Sequence, residues 1–149
     1  MKQAIILLSI IFITYESYSQ TDNEFPCSKL ERSSNMKFIA SGLVDHCEME
    51  ISWIKNEIKK DSIQTWLRAY IKESFFKDLE LDGKNKELLE REVEWINQRW
   101  EKFKVHVEES DKVYYYSTPQ NYWDALAGQD GFVILRECTI LGVIVLTQS

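Results

Sequence analysis

The sequence predicts an α+β domain in which N-terminal helices, forming a helical hairpin, pack on a C-terminal three-stranded antiparallel sheet. Two observations lead to this class. Apolar residues recur at helical spacing between Asp61 and Phe103, whereas the stretch from Val113 to Leu146 is rich in β-branched and aromatic residues. A chain whose helices precede its strands is typical of α+β folds rather than of alternating α/β folds.

The first 19 residues predict a signal peptide that is removed on export. Lys2 precedes an apolar run of 11 residues, Ala4 to Thr14, and small residues at Ser17 and Ser19 then provide a cleavage site before Gln20. The run is well short of the roughly 20 apolar residues that a membrane-spanning helix needs. We therefore expect a secreted or periplasmic protein with no stable membrane insertion after cleavage.

The remaining residues, 20–149, are expected to fold as a single domain. The chain has 18 Lys and Arg against 24 Asp and Glu, which gives a net charge of −6. Nucleic-acid binding needs a basic surface that neutralises phosphates, so this acidic composition argues against a nucleic-acid partner.

Three cysteines follow the predicted cleavage site: Cys27, Cys47 and Cys138. In an oxidising compartment two of them are expected to form a disulfide, and three pairings exist. We favour Cys27–Cys47, which closes a loop of about 20 residues and ties the N-terminal segment to the first strongly apolar element. The chain has no CxxC motif, so the usual spacing of a thioredoxin-like site or a zinc site is missing.

The segment before the helical hairpin fits more than one structure. Gln20 to Ser34 is polar and non-periodic, which indicates an irregular lead-in. Within Leu43 to Lys59, one set of apolar residues recurs every three or four positions, as in a helix: Cys47, Ile51, Ile54 and Ile58. Another set alternates with polar residues, as in a strand: Met49, Ile51 and Trp53. The length and the Lys and Glu content favour a helix, but helix and strand both stay open for residues 45–58.

Two amphipathic helices follow. In the first, Asp61 to Phe76, Asp61 is the predicted N-cap and Gln64 completes a capping box. Its apolar face is predicted to contain Ile63, Trp66, Leu67, Tyr70, Ile71 and Phe75. Gly83 interrupts the pattern before the second helix, Lys84 to Phe103, so the pair is predicted to form an antiparallel hairpin.

The C-terminal part predicts strands around one short helix. Val113 to Tyr116 is β-prone, and Ser117 or Thr118 is expected to cap a short helix that has Pro119 in its first turn and stops at Gly128. A β-hairpin is then predicted from two β-rich runs, Gly131–Arg136 and Thr139–Leu146.

The last third of the chain resembles a group of small, uncharacterised bacterial proteins. These end in a strand, an S-x-P-x-x-W-x-x-L-x-G-x-x-G segment, a strand, an R-[DN]-G turn and a final strand. The matching residues are Ser117, Pro119, Trp123, Leu126, Gly128, Gly131 and Arg136, while Glu137 and Cys138 replace the usual turn pair. The resemblance implies a structural module and no chemistry. The spacing predicts that Trp123 and Leu126 face the core.

The aromatic residues of this module have a structural and a functional interpretation. In a strand, Tyr114 and Tyr116 face one way and Tyr115 the other, which suits a buried sheet. As an alternative, Tyr114, Tyr116, Tyr122 and Trp123 form a recognition surface for a peptide or a sugar, because Tyr and Trp are common at such surfaces. We favour the structural interpretation.

The stretch from Asp78 to Leu89 partly matches a calcium-binding EF-hand loop. Asp78, Glu80 and Asp82 occupy the first, third and fifth ligand positions, with Gly83 at the sixth. The twelfth position, which should supply a bidentate carboxylate, is Leu89. We therefore expect a polar turn between helices and no metal site.

No catalytic, cofactor-binding or metal-binding residues are predicted. "DHCE", Asp45 to Glu48, gathers reactive groups that do not converge on one point of a helix, and the other histidine, His106, has no motif around it. The sequence favours an exported, non-catalytic domain that binds a protein, peptide or glycan partner. The alternatives are a small envelope hydrolase that uses Cys47 or the carboxylates, and a calcium-stabilised structural protein. A binding protein should expose an apolar or aromatic patch, whereas an enzyme should have a pocket with convergent titrating groups.

The export prediction has a direct test in the mass of the protein recovered from the extracytoplasmic fraction. We expect intact-mass spectrometry to find a chain that begins at Gln20, shortened by the predicted signal peptide. Material that still begins at Met1 would contradict this prediction.

Overall fold

The structure of the protein, a computed structural model, describes residues 25–33 and 49–149. The predicted signal peptide, Cys47 and residues 43–48 of the ambiguous segment lie outside these residues. The strands and helices in chain order are β1 (Glu31–Arg32), β2 (Ile54–Ile58), α1 (Ile63–Phe75), α2 (Gly83–Lys104), β3 (Lys112–Ser117), α3 (Gln120–Asp124), β4 (Gln129–Arg136) and β5 (Thr139–Gln148). None of the helices in the described ranges is both long and apolar enough to cross a membrane.

The five strands form one mixed sheet in the order β1-β5-β4-β3-β2. β2, β3, β4 and β5 are antiparallel neighbours, and β1 runs parallel to β5. The α+β class is therefore correct. The expected arrangement is wrong in two respects, because β1 and β2 precede the helices and the sheet has five strands instead of three.

Residues 54–58 form a strand, although we favoured a helix here because their apolar residues have helical spacing. Ile54 and Ile58, four residues apart, would point to the same side of a regular strand. The register shifts between Ile54 and Asn56, as in a β-bulge, so the two isoleucines face opposite sides of the sheet. Pairing with the tyrosine-rich β3 determines the structure here, and the helix that we favoured for this segment is wrong within residues 49–59.

The two long helices occur as predicted and form an antiparallel pair. Arg68 of α1 forms an ion pair with Glu90 of α2, each about two turns from the connection between the helices. Asp82 caps α2 by accepting a hydrogen bond from the backbone N–H of Asn85 at 2.9 Å. The capping box predicted at Asp61 does not form, because Asp61 lies in a 3-10 turn that precedes α1.

Both faces of the sheet are buried. On one face, α1 and α2 enclose the first core, which includes Leu67, Trp100, Phe103, Val113, Phe132, Ile134 and Ile144. On the other face, a second core of Tyr116, Val133, Leu135, Ile140 and Val143 lies beneath Phe25, Leu30, Met49 and Ile54. As a result, β4 has seven consecutive buried residues, from Gln129 to Leu135.

A disulfide holds the N-terminal segment on the second face. Cys27 pairs with Cys138, with the two Cα atoms 5.6 Å apart, so the favoured Cys27–Cys47 pairing is wrong. The reason is topological, since β1 lies beside the start of β5 and brings Cys27 to the β4–β5 turn. The backbone N–H of Glu31 donates to the carbonyl of Cys138 at 2.9 Å. Glu137, the other turn residue, has a φ of 53°.

A matched pair of glycine substitutions tests the packing of the β4–β5 ladder. A Cβ at Gly131 would lie 2.1 Å from the backbone oxygen of Ile144, whereas a Cβ at Gly83, at the start of α2, meets nothing within 4 Å. Because the backbone cannot give way as a side chain can, we expect Gly131→Ala to lower the free energy of unfolding by about 2 kcal/mol or more. Gly83→Ala should be neutral or stabilising by up to about 1 kcal/mol. Equal midpoints of urea unfolding for the two variants would contradict this packing.

Candidate functional site

The four residues of the alternative recognition surface do not share one open surface. Tyr116 has no exposed area, so this alternative is wrong for Tyr116 and the favoured structural interpretation is correct for it. Tyr114 lies on the same face, and its ring meets Phe25 edge to face at 5.3 Å. Tyr114, Tyr122 and Trp123 are partly exposed, so a role for these three in recognition stays a prediction.

The short helix α3 positions Trp123 over a glycine. A Cβ at Gly128 would lie 2.2 Å from Cδ2 of Trp123, so Gly128 makes room for the indole ring. The Trp123 Nε1 donates to the backbone oxygen of Thr118 at 3.2 Å. Leu126 is 78% exposed with a φ of 56°, so the expectation that it faces the core is wrong. Its left-handed backbone reverses the chain after α3 and turns its side chain outward.

The predicted caps of α3 also differ from the observed ones. Pro119 occupies the N-cap position in place of Ser117 or Thr118. The Thr118 hydroxyl instead accepts from the backbone N–H of Gln129 at 3.0 Å, which ties the end of β3 to the start of β4.

The residues of the EF-hand-like stretch have other tasks. Asp82 caps α2, and Leu89, at the position where calcium would need a carboxylate, is buried in the first core. The described ranges contain no group of three or more His, Cys, Asp or Glu residues that could hold a metal ion.

The other candidate stretch, Asp45 to Glu48, lies outside the described residues. His106 lies beside the Phe103 ring, with 6.4 Å between the ring centroids.

The end of α1 and its connection to α2 expose a set of large apolar side chains. Phe75 is 52% exposed, Leu79 is 49% and Leu81 is 37%, all within seven residues of one another. We call these three the Phe75–Leu81 surface. Charged residues accompany it on both sides, including the ion pair of Glu73 with Lys77 at 3.0 Å. An apolar patch with a polar rim is typical of a protein-interaction site.

The backbone of this connection is fixed even though its side chains point outward. Phe76 is buried, and its N–H donates to the carbonyl of Lys72 at 3.0 Å. The N–H of Leu79 donates to the carbonyl of Phe76 at 3.1 Å, and the Asn85 side chain donates to the carbonyl of Glu80 at 2.8 Å. A surface held in this way needs little ordering when it binds a partner.

A second feature, the Asp130 cluster, lies where α1 crosses the end of the sheet. Its members are Trp66, Tyr70, Tyr115, Asp130 and Thr147. Asp130 Oδ2 accepts from the hydroxyls of Tyr70 at 2.7 Å and Tyr115 at 3.0 Å, and Oδ1 accepts from the Thr147 backbone N–H at 3.1 Å. The Trp66 ring stacks on the Tyr70 ring with centroids 5.1 Å apart.

The carboxylate of Asp130 is buried without a cationic partner among the described residues. All three of its donors are neutral, and burial raises the pKa of Asp130 above its usual value. Burial likewise raises the pKa values of the Tyr70 and Tyr115 hydroxyls, which therefore stay protonated at neutral pH.

A second buried carboxylate, Asp111, has the opposite environment. Arg136 donates to both of its oxygens, at 2.8 and 2.9 Å, and the backbone N–H of Glu108 donates to Oδ2 at 2.7 Å. The Arg136 guanidinium lowers the pKa of Asp111 below its usual value. Asp111 joins the α2–β3 connection to β4 and has a structural role, whereas the charge of Asp130 lacks such compensation within the part of the chain that the structure describes.

Sequence patterns alone do not reveal the Phe75–Leu81 surface or the Asp130 cluster. Helical spacing places Phe75 on the apolar face of the first helix, and the two leucines lie in a stretch that resembles a calcium loop. The sequence does mark Asp130 as unusual, because it is a charged residue at the start of β4, directly before an apolar run. Its partners Tyr70 and Thr147 are 60 and 17 residues away, a proximity that no local pattern reveals.

Comparisons with known proteins add no assignment to these observations. No protein-family model matches the chain, and comparisons with curated proteins and with solved structures gave no match.

The two buried carboxylates predict stabilities with opposite pH dependence. A raised folded-state pKa means that the native state holds the Asp130 proton more tightly than the unfolded state. The contribution of Asp130 to stability is thus full below its unfolded pKa and is lost as pH rises through the folded value. For Asp111 the pKa is lowered, so its contribution is present above the unfolded value and is lost as pH falls.

Urea unfolding of the wild type, Asp130→Asn and Asp111→Asn across pH 3 to 8 measures both effects. The stability of the wild type relative to Asp130→Asn should fall as pH rises, and relative to Asp111→Asn it should rise. The assignment of Asp130 fails if both differences change in the same direction.

Proposed function

We propose that this chain is an exported, disulfide-locked domain that acts by binding a partner protein through the Phe75–Leu81 surface. The single observation that supports the proposal is the exposure of three large apolar side chains at the end of α1 and in its hydrogen-bonded connection to α2. Exported proteins work where disulfides persist, and the Cys27–Cys138 pair is compatible with such a compartment.

The chemistry of the surface favours a protein as the partner. Leucine and phenylalanine side chains offer apolar contact area and no hydrogen bonds that could orient a small polar ligand. The same stretch of sequence carries exposed charges of both signs: Lys72, Glu73, Lys77, Asp78 and Glu80. Such charges suit the polar edge of a protein–protein interface around an apolar centre.

The remaining alternatives have less support. A hydrolase that uses Cys47 depends on a residue outside the described ranges, and the loop considered for calcium has Leu89 in the core. Binding through an apolar surface is the interpretation for which a specific observation exists.

Site-specific photocrosslinking tests the proposal and works with an unidentified partner. A photoreactive benzophenone side chain is introduced at Leu79 and, as the matched control, at Val105, which is 78% exposed at the far end of α2. After irradiation of the cells that export the protein, we expect one discrete protein adduct from position 79 and none from position 105. Phe75→Gln in the same chain should remove that adduct.

The unfolding temperature of Phe75→Gln serves as the fold control. Because the side chain is half exposed, the substitution should change stability by no more than about 0.5 kcal/mol. Absence of an adduct at position 79, or identical adducts from both positions, would refute the proposed function.

A further inference from the structure

We propose that the Asp130 cluster is a binding site for an organic cation that carries an ammonium or guanidinium group. This site is separate from the Phe75–Leu81 surface and does not depend on the function proposed for it. Three properties point to such a ligand: the charge of Asp130, the number of hydrogen bonds that its oxygens accept, and the aromatic rings around it.

The charge of Asp130 differs from that of Asp111 in its compensation. Asp111 is neutralised by Arg136 within the fold, whereas the groups that face Asp130 are Tyr70 from α1, Tyr115 from β3 and Thr147 from β5. None of these three carries a positive charge. A buried carboxylate needs a counter-charge to stay ionised at low cost, and an incoming cation can supply it.

One of the hydrogen bonds of Asp130 can be replaced by that of a ligand. A carboxylate offers about four acceptor positions. Oδ2 accepts two hydroxyl hydrogen bonds, and Oδ1 accepts one from the Thr147 N–H among the described residues. The Thr147 hydroxyl, which lies 2.9 Å from the Tyr70 hydroxyl, is the donor that an N–H group of a ligand would replace at the fourth position.

Asp130 is itself buried, and the side chains around it are partly exposed. Asp130 retains 7% of its exposure, and Tyr70, Tyr115 and Thr147 are each partly exposed. Across the sheet, Asp130 pairs with Ser117 on one side and Thr147 on the other, which makes a polar row at the end of an otherwise apolar face.

Aromatic rings line the same position. Trp66 lies 5.1 Å from Tyr70 and 5.2 Å from Tyr115, measured between ring centroids. Aromatic faces and edges attract organic cations and accept their alkyl parts, so a carboxylate beside these rings favours an amine or a guanidine over an inorganic ion.

The test follows the backbone amide of Thr147 by NMR while simple probes are added to the whole mature protein. n-Butylammonium and methylguanidinium should shift this resonance saturably, with dissociation constants of about 10 mM or lower, and n-butanol should not. The affinity for both cations should rise with pH as Asp130 ionises. The two cations also separate the ammonium from the guanidinium source of the same chemistry.

Variants decide whether Asp130 is responsible. Asp130→Asn should reduce cation affinity at least tenfold, while Asp124→Asn, an exposed change of the same charge on α3, should have no effect. Tyr115→Phe keeps the ring and removes a hydrogen bond that lowers the pKa of Asp130, so the rise of cation affinity with pH should move to higher pH, a result that does not depend on whether Asp130→Asn folds. Equal binding of n-butanol, no saturable shift with either cation, unchanged cation affinity in Asp130→Asn or an unshifted pH dependence of binding in Tyr115→Phe would overturn the proposal.

Discussion

The fold depends on burying β4 on both faces. Seven consecutive residues of this strand are buried, and its neighbours β3 and β5 have apolar side chains on both sides as well. A strand of this kind is stable only when each face of its sheet is covered. The helices α1 and α2 supply a thick cover on one face. The other face is covered, among the described residues, by the short segment around Phe25 and Leu30 and by the residues that lead into β2.

The thin cover explains the position of the disulfide. β1 has only two residues, which pair with Thr139 and Ile140 of β5, and the backbone N–H groups of Glu31 and Ser33 donate to the β4–β5 hairpin at 2.9 and 3.1 Å. So few contacts offset little of the conformational entropy that ordering the segment costs. The bond between Cys27 and Cys138 spans 111 residues of sequence, and closing so long a loop removes much of the entropy of the unfolded chain. The disulfide therefore keeps the N-terminal segment on the second face of the sheet, as the apolar stripe of α1 keeps that helix on the first face.

Local patterns predicted the parts of the fold that local patterns determine. The helical stripes of α1 and α2 and the β-rich runs on either side of Glu137 gave elements within about two residues of the observed ends. The helical spacing of Ile54 and Ile58 led to a wrong helix prediction. These residues belong to a strand, in which a β-bulge places them on opposite faces of the sheet. The Cys27–Cys47 disulfide was predicted wrongly because the two residues are close in sequence, whereas the fold brings Cys27 close to Cys138. The Asp130 cluster could not be predicted, since it joins α1 to three strands through pairs that only the folded sheet brings together.

The central claim, that the disulfide holds the N-terminal segment over the second core, is tested most directly by hydrogen exchange of the Glu31 and Ser33 amides. These two N–H groups donate to the hairpin, so their protection reports the docking of the segment. After selective reduction of the disulfide, we expect both amides to exchange at least about tenfold faster, and more readily than those of Leu67 and Ile71 in α1. Unchanged protection of Glu31 and Ser33 in the reduced protein would contradict this claim.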